Sequence, residues 1–192
     1  MMKIKIEVLS QYLFDKKMEN LGLNDNNVDD LKDSAFISII GTKECLEYYL
    51  DELDTKHYFN DTHHNVLNLD FDDCDTDIDY KGHIFKTMRI EQAEKSVDFI
   101  ERMISEGKVH FYIHCRAGMS RSRAFGEFIS RLINENTDLE LDYEERMHYT
   151  TVLNHNVLRD LNHAYWKKHK IRNYANNEEY EDDLINIPII KV

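Results

Sequence analysis

The chain is short of cysteines, of cations and of long apolar runs, and each shortage narrows what it can be. Its 192 residues include three cysteines, Cys45, Cys74 and Cys115. An odd and widely spaced set argues against a disulfide framework and for a reducing cytosol, where a reactive thiolate also survives best. Lys and Arg number 24 against 37 Asp and Glu, a formal charge of −13. That balance repels phosphate backbones at long range and speaks against any broad nucleic-acid or anionic-membrane surface. One phosphoryl group in a small, locally positive cradle is compatible with it; a long polyanion is less so. No apolar run approaches the roughly 20 residues of a membrane span, and no internal repeat is visible. The opening Met1-Met2-Lys3-Ile4-Lys5-Ile6 alternates like a strand rather than building a cleavable signal. The expectation is a cytoplasmic globule, with 42% hydrophobic and 32% charged residues, of a size that suits one domain with a single core.

Strand and helix patterns alternate along the chain. Ile4, Ile6 and Val8 alternate with polar residues, a helix-like patch follows (Tyr12, Leu13, Lys16, Lys17), and residues 21–33 form an Asn/Asp-rich loop. Residues 35–40 are a continuous apolar run of strand length, consistent with burial on both faces. Gly41-Thr42 ends it, with Thr42 placed to cap a short helix carrying Leu46, Tyr49, Leu50 and Leu53. Residues 57–65 are a polar connection, and adjacent His63 and His64, lacking a spaced third ligand, read as loop residues rather than a metal site. Residues 66–71 read as a third strand with Leu67, Leu69 and Phe71 on one face. It runs into alternating aspartates over 72–79. Ile78 and Ile84 stand where a calcium loop needs glycine and glutamate, so calcium is disfavoured. A helical stripe (Ala93, Val97, Ile100, Ile104) runs over 87–106, ended by Gly107 at the C-cap.

After a loop over 134–141, residues 142–170 read as helical in one or two pieces, with Lys167-Lys168-His169-Lys170 a solvated C-terminus favoured by the helix dipole. Residues 173–183 are polar, acidic and expected to be loosely ordered; 185–192 regain strand-like character without a place in the pattern. The expected fold is α/β: one domain over 1–172, a central mostly parallel sheet flanked by helices on both faces, and an acidic tail over 173–192. A ligand then belongs beyond the carboxyl ends of the strands, where residues 72–73 and 114–122 both fall.

The whole chain is organised around His114-Cys115-Arg116-Ala117-Gly118-Met119-Ser120-Arg121-Ser122. An apolar, β-prone run over 109–113 leads in, and a helical stripe (Phe125, Phe128, Ile129, Leu132, Ile133) leads out. Strand, tight glycine-containing loop and helix make a geometry for holding an anion. Loop N–H groups converge in a nest, and the first helical turn adds orphan donors and partial positive charge. A thiolate at the head of such a loop sits where a phosphate oxygen would otherwise be welcome. Arg121 closes the loop with a planar fork that takes two phosphate oxygens at once.

Cysteine, five residues and arginine, preceded by His114 and followed by Ser122, resembles the signature of the cysteine-dependent protein tyrosine phosphatases. The run is similar to that of their dual-specificity branch, and the 114 residues before Cys115 favour its compact or atypical type. The resemblance spans roughly residues 35–165. It implies a protein tyrosine phosphatase-like fold and a hydrolase with no cofactor and no metal. Cys115 would attack phosphorus in line. Arg121 and the loop amides of Arg116, Ala117, Gly118, Met119 and Ser120 would hold the equatorial oxygens. The leaving group would take its proton from an aspartate in a loop after an upstream strand. Laid against the family's pattern, Asp73 falls on that acid and Asp72, the runner-up, on its neighbour; the competing reading makes both merely solvated loop carboxylates. Ser122 would hydrogen-bond the thiolate and ease breakdown of the phosphocysteine, or simply cap a helix. His114 would orient the loop, and Asn154, at the start of the last helix, would brace it. Arg123 and Phe125-Gly126-Glu127 depart from the family's usual helix.

The implied substrate is a phosphoprotein or phosphopeptide carrying phosphotyrosine, with phosphoserine or phosphothreonine as further targets, acted on by a monomer without nucleic acid or membrane. An RNA 5′-triphosphatase of the same superfamily is an alternative that the −13 charge disfavours. A phosphate-binding pseudophosphatase is another, opposed by the intact Cys115 and Arg121. Neutral Met119 and Ser120 speak against a reader of phosphoinositides.

Overall fold

The computed structural model describes residues 3–43, 56–136, 140–145 and 153–169. Five strands form one sheet: β1 (Lys3–Ser10), β2 (Ser34–Ile40), β3 (Val66–Asp70), β6 (His110–Cys115) and β7 (Glu140–Glu145). A separate antiparallel ribbon pairs β4 (Ile78–Tyr80) with β5 (His83–Phe85). The helices are α1 (Gln11–Asn20), α2 (Ile90–Ser105), α3 (Arg121–Asn136) and α4 (His155–His169). Sheet order is β3-β2-β6-β1-β7, and every pairing in it is parallel. The expected α/β architecture is therefore present.

Period-two alternation sorts the strand side chains onto two faces. Ile4, Ile6, Val8, Ile37, Ile39, Phe111 and Ile113 point to one face, where they pack with Phe99 and Ile100 of α2, Phe125 and Ile129 of α3 and Leu161 of α4. Leu9, Phe36 and Tyr112 point to the other and meet Phe14 and Met18 of α1 together with Phe59. Helices thus cover both faces, three on one side and α1 on the other. Each fully buried Ile or Phe contributes roughly 1.5–3 kcal/mol, so β2, buried at all seven positions, is held from both sides. The apolar stripe of α2 ends as expected. Gly107 has φ 78°, its N–H bonds the Ile104 carbonyl and the Lys108 N–H bonds that of Met103, the paired closure that a left-handed residue permits.

Two expectations fail. The helix expected from residue 142 is instead strand β7 over residues 140–145, followed by α4 from His155. The sequence there, Glu-Leu-Asp-Tyr-Glu-Glu, alternates with period two, and the open edge of β1 supplies a parallel partner. Thr42 donates its hydroxyl to Asp72, and the helix it is expected to cap lies outside the described residues beyond Lys43. The aspartate-rich stretch after β3, read as a plain loop, runs at its end into the β4–β5 ribbon. Lys81 (φ 54°) and Gly82 (φ 82°) turn it, the two positive angles of the tightest hairpin turn, with Gly82 N–H donating to Asp79 Oδ1 at 3.1 Å. Cys45, the short helix expected over residues 46–53 and the tail beyond residue 169 lie outside the described residues. Among those described, no helix is long and apolar enough to cross a membrane.

Candidate active site

Strand β6 delivers Cys115 to the carboxyl edge of the sheet, in register with Ser10 of β1. The chain then turns through residues 116–120 and enters α3 at Arg121. The turn presses on the β1–α1 junction: Gln11 N–H donates to the Arg116 carbonyl at 3.2 Å. Gly118, at φ 71°, leaves no room for a side chain, because a Cβ would fall 2.5 Å from both the Leu9 carbonyl carbon and the Ser10 nitrogen. Arg116, Ala117 and Met119 are exposed on the outer side of the turn. Cys115 is buried with its Sγ 3.1 Å from the hydroxyl of the fully buried Ser122.

Arg121 is only 5% exposed. One terminal nitrogen of its fork donates to the carbonyls of Ile40 (3.1 Å) and Phe71 (2.6 Å), at the ends of β2 and β3. Its Nε is buried without a partner. A buried cation with an unused N–H is costly unless an anion comes to it.

The two adjacent aspartates point opposite ways. Asp72 is buried and receives Thr42 N–H (2.8 Å), Thr42 Oγ1–H (2.7 Å) and Lys86 N–H (2.7 Å). It is a strut that ties the base of the ribbon to the end of β2. Asp73 is exposed, and its Oδ1 accepts from Ser120 of the turn (2.7 Å) and from the Asn154 amide (2.9 Å). Asn154 in turn accepts Val157 N–H at 3.0 Å, capping α4. Asn154 therefore reaches the turn of residues 116–120 indirectly, through Asp73 to Ser120. The other aspartates are used locally: Asp75 binds Asn156 of α4, Asp77 pairs with Arg89 at 2.5 Å, and Asp79 holds the hairpin turn.

His114 is fully buried. Burial, then the charges of His57 and Arg121, push its pKa down to about 3, so the ring is neutral and suited to orientation rather than proton transfer. It leans on the Phe14 ring at 4.2 Å between centroids. Its Nε2 lies 2.6 Å from Ser38 Oγ, which lies 2.7 Å from His57 Nδ1, whose Nε2 lies 2.8 Å from Asp70 Oδ1. Sequence reading missed this chain: Ser38 sits in an apolar run, His57 in a polar connection and Asp70 at a strand end, with no local pattern joining them. A second described thiol, Cys74, lies beside Asp73. Burial first, then the charges of Asp72, Asp77 and Asp73, push it up to about 11 against the pull of Arg121. Among the described residues no group of three His, Cys, Asp or Glu is arranged to hold a metal ion.

Protein-family models, curated proteins and solved structures offer no match to this chain.

Proposed function

We propose that the protein is a phosphoric monoester hydrolase of the protein tyrosine phosphatase kind, acting on phosphotyrosine and on phosphoserine or phosphothreonine in a protein or peptide. The observation that carries the reading is Arg121. It is buried beside the Cys115 turn and pinned by one terminal nitrogen to two backbone carbonyls, with Nε unused. A phosphoryl group resting in the turn completes that cation, and its phosphorus then faces the thiolate.

The chemistry runs in two displacements. Cys115 Sγ bonds to phosphorus as the bond to the leaving oxygen breaks, and Asp73 gives that oxygen its proton. Water then attacks the phosphocysteine with Asp73 taking a proton back, and Cys115 leaves as thiolate with the Ser122 hydroxyl donating to it. Arg121 and the loop N–H groups hold the equatorial oxygens throughout. The parallel sheet, with its anion turn between β6 and α3, supports a protein tyrosine phosphatase-like fold, and a mechanism through a free thiolate suits a reducing compartment such as the cytoplasm.

A substrate trap tests the reading. Cys115→Ser removes the nucleophile and keeps the cradle, so turnover of a small aryl phosphate should vanish while phosphoproteins are still captured from a lysate and released by competing phosphate. Residual turnover above background would end the covalent mechanism. Release of phosphate from triphosphate-ended RNA by the wild type, with no activity on phosphopeptides, would transfer the site to that substrate.

A further inference from the structure

The β4–β5 ribbon has no part in the proposed chemistry, yet its base is fixed to the neighbour of Asp73. Asp72 N–H donates to the Lys86 carbonyl and Lys86 N–H to Asp72 Oδ2, both at 2.7 Å. Thr87 N–H donates to Asp77 Oδ1 at 3.1 Å. Beyond that base, among the described residues, the two strands pair only with each other. Their register, Ile78↔Phe85, Asp79↔Ile84 and Tyr80↔His83, sorts the side chains, because directly opposed residues share a face. Ile78, Tyr80, His83 and Phe85 lie on one face, Asp79 and Ile84 on the other. The first face is apolar and open, with Ile78 45% and Tyr80 47% exposed. It holds no carboxylate in a chain of charge −13, and Lys81 Nζ stands 5.1 Å from the centroid of the Tyr80 ring. Apolar surface with one cation and no acid is complementary to an apolar segment that carries an anion nearby.

We propose that the Ile78–Tyr80 face docks the substrate's own chain, an extended phosphopeptide segment whose apolar residues lie on these two side chains. The inference rests on the phosphatase reading and adds a substrate class to it: phosphopeptides with apolar residues a few places from the phosphorylated one. The spacing suits this. Asp73 Oδ1 is 2.7 Å from Ser120 Oγ in the turn, so the phosphorylated side chain enters beside the ribbon's base. Ile78 is opposite Phe85, one residue from the Lys86 that bonds Asp72, and Tyr80 is two residues further out. At about 3.4 Å per residue, an extended peptide leaving the turn passes Ile78 and Tyr80 with roughly its third to fifth residue from the phosphorylated one.

Two fluorescent phosphotyrosine peptides test the docking, one with leucine and one with serine at the third to fifth places on both sides of the phosphotyrosine. Binding is read by fluorescence anisotropy on full-length protein carrying Cys115→Ser, so that neither peptide is consumed. The leucine peptide should bind about tenfold more tightly, the scale of burying two half-exposed apolar side chains. Adding Ile78→Ser and Tyr80→Ser together should abolish that preference. Ile78→Leu with Tyr80→Phe should keep it, which separates lost apolar contact from a disturbed ribbon. Ile84→Ser, an equally exposed change on the opposite face, should also keep it. Equal binding of the two peptides, a preference that survives the serine pair, or one that Ile84→Ser removes would overturn the inference. So would a wild-type dimer in sedimentation that the serine pair dissolves without any change in peptide preference, which would give the face to a second copy of the chain. Aryl phosphate turnover by the wild type reports on the phosphatase reading alone: turnover with no leucine preference strikes the docking and leaves the enzyme, and leucine-dependent binding with no turnover does the reverse.

Discussion

Replacing Gly118 by alanine tests whether the turn between Cys115 and Arg121 is seated on the β1–α1 junction. The new methyl would lie 2.5 Å from the Leu9 carbonyl carbon and the Ser10 nitrogen and 2.7 Å from the Leu9 oxygen. All three are backbone atoms of a strand end paired to β6, so no side chain can swing away. The φ of 71° adds strain of about 1 kcal/mol for an L residue, and overpacking a rigid contact costs about 1–3 kcal/mol more. The sum, about 2–4 kcal/mol, is a large part of the 5–15 kcal/mol typical of a folded domain. At about 2–4 °C per kcal/mol for a chain of this size, the melting temperature should fall by about 10 °C. If the turn lifts off the junction instead, the melt is preserved and turnover drops about 100-fold, since a displacement near 1 Å suffices for that. Gly82→Ala and Gly107→Ala are the controls. Each has a positive φ and nothing within 4 Å of its Cβ, so each should lose only about 1 kcal/mol and keep full turnover. Thermal melts and aryl phosphate turnover of the three variants decide the matter. A Gly118→Ala protein indistinguishable from Gly82→Ala in both would refute the seating.

Arg121→Lys should lower kcat/KM by about 100-fold or more, because one ammonium cannot span the Ile40 and Phe71 carbonyls and a phosphoryl group together; near-normal turnover would remove Arg121 from the site. Asp73→Asn keeps an oxygen for Ser120 and Asn154 but loses the transferable proton. The alkaline limb of its pH–rate profile should flatten, with a larger loss for an alkyl than for an activated aryl phosphate; the same signature in Asp72→Asn alone would move the acid one residue back. Glu7, 1% exposed and bonded by Lys17, Lys5 and His110, is lowered to about 2 because those bonds outweigh its burial. Its contribution is present above about pH 4.5 and lost as pH falls through about 2, so an acid-unfolding curve of Glu7→Gln should converge on wild type there. His63 is bonded to both Asp25 and Asp29; burial opposes its charge, but those bonds win and its pKa is raised. Its contribution is whole below the ordinary histidine value of about 6.5 and is lost as pH rises through the raised one, so the urea midpoints of wild type and His63→Gln should differ most near about pH 6 and converge in alkali; a gap independent of pH would refute this.

What could be read from the sequence was what is encoded within a dozen residues. Strands β1, β2, β3 and β6 declared themselves by alternation or by short apolar runs, α2 by its stripe and its terminal glycine, and the turn of residues 115–121 by its spacing. Strand β7 is ambiguous in sequence because a six-residue alternation rich in acidic residues suits an exposed helix as well as an edge strand. The choice was made by the open edge of β1, more than a hundred residues away in the chain. The β4–β5 ribbon has its signal, Lys81-Gly82 between Ile78 and Ile84, but three-residue strands are too short for periodicity to speak.

The same division runs through the site. The turn is local, while each group that makes it chemical comes from elsewhere in the chain. Arg121 is pinned by a carbonyl 81 positions away, His114 is oriented by a hydroxyl 76 positions away, and Asp73 is held by an amide 81 positions away. Parallel pairing explains how these meet, because it brings the carboxyl ends of β1, β2, β3 and β6 to one edge, where every strand must exit. It does not by itself choose between Asp72 and Asp73, which are chemically identical neighbours at one strand end. That choice is made by Thr42 at the end of β2. Its amide and hydroxyl hold Asp72 inward, and once the first carboxylate is turned in, the next residue of an extended chain faces out, towards Ser120 and the anion turn. Removing the hydroxyl, as in Thr42→Val, leaves Asp72 with two N–H donors and loosens the strut beside Asp73, so under the proposed reading the variant should lower turnover through Asp73 although neither Thr42 nor Asp72 would touch substrate.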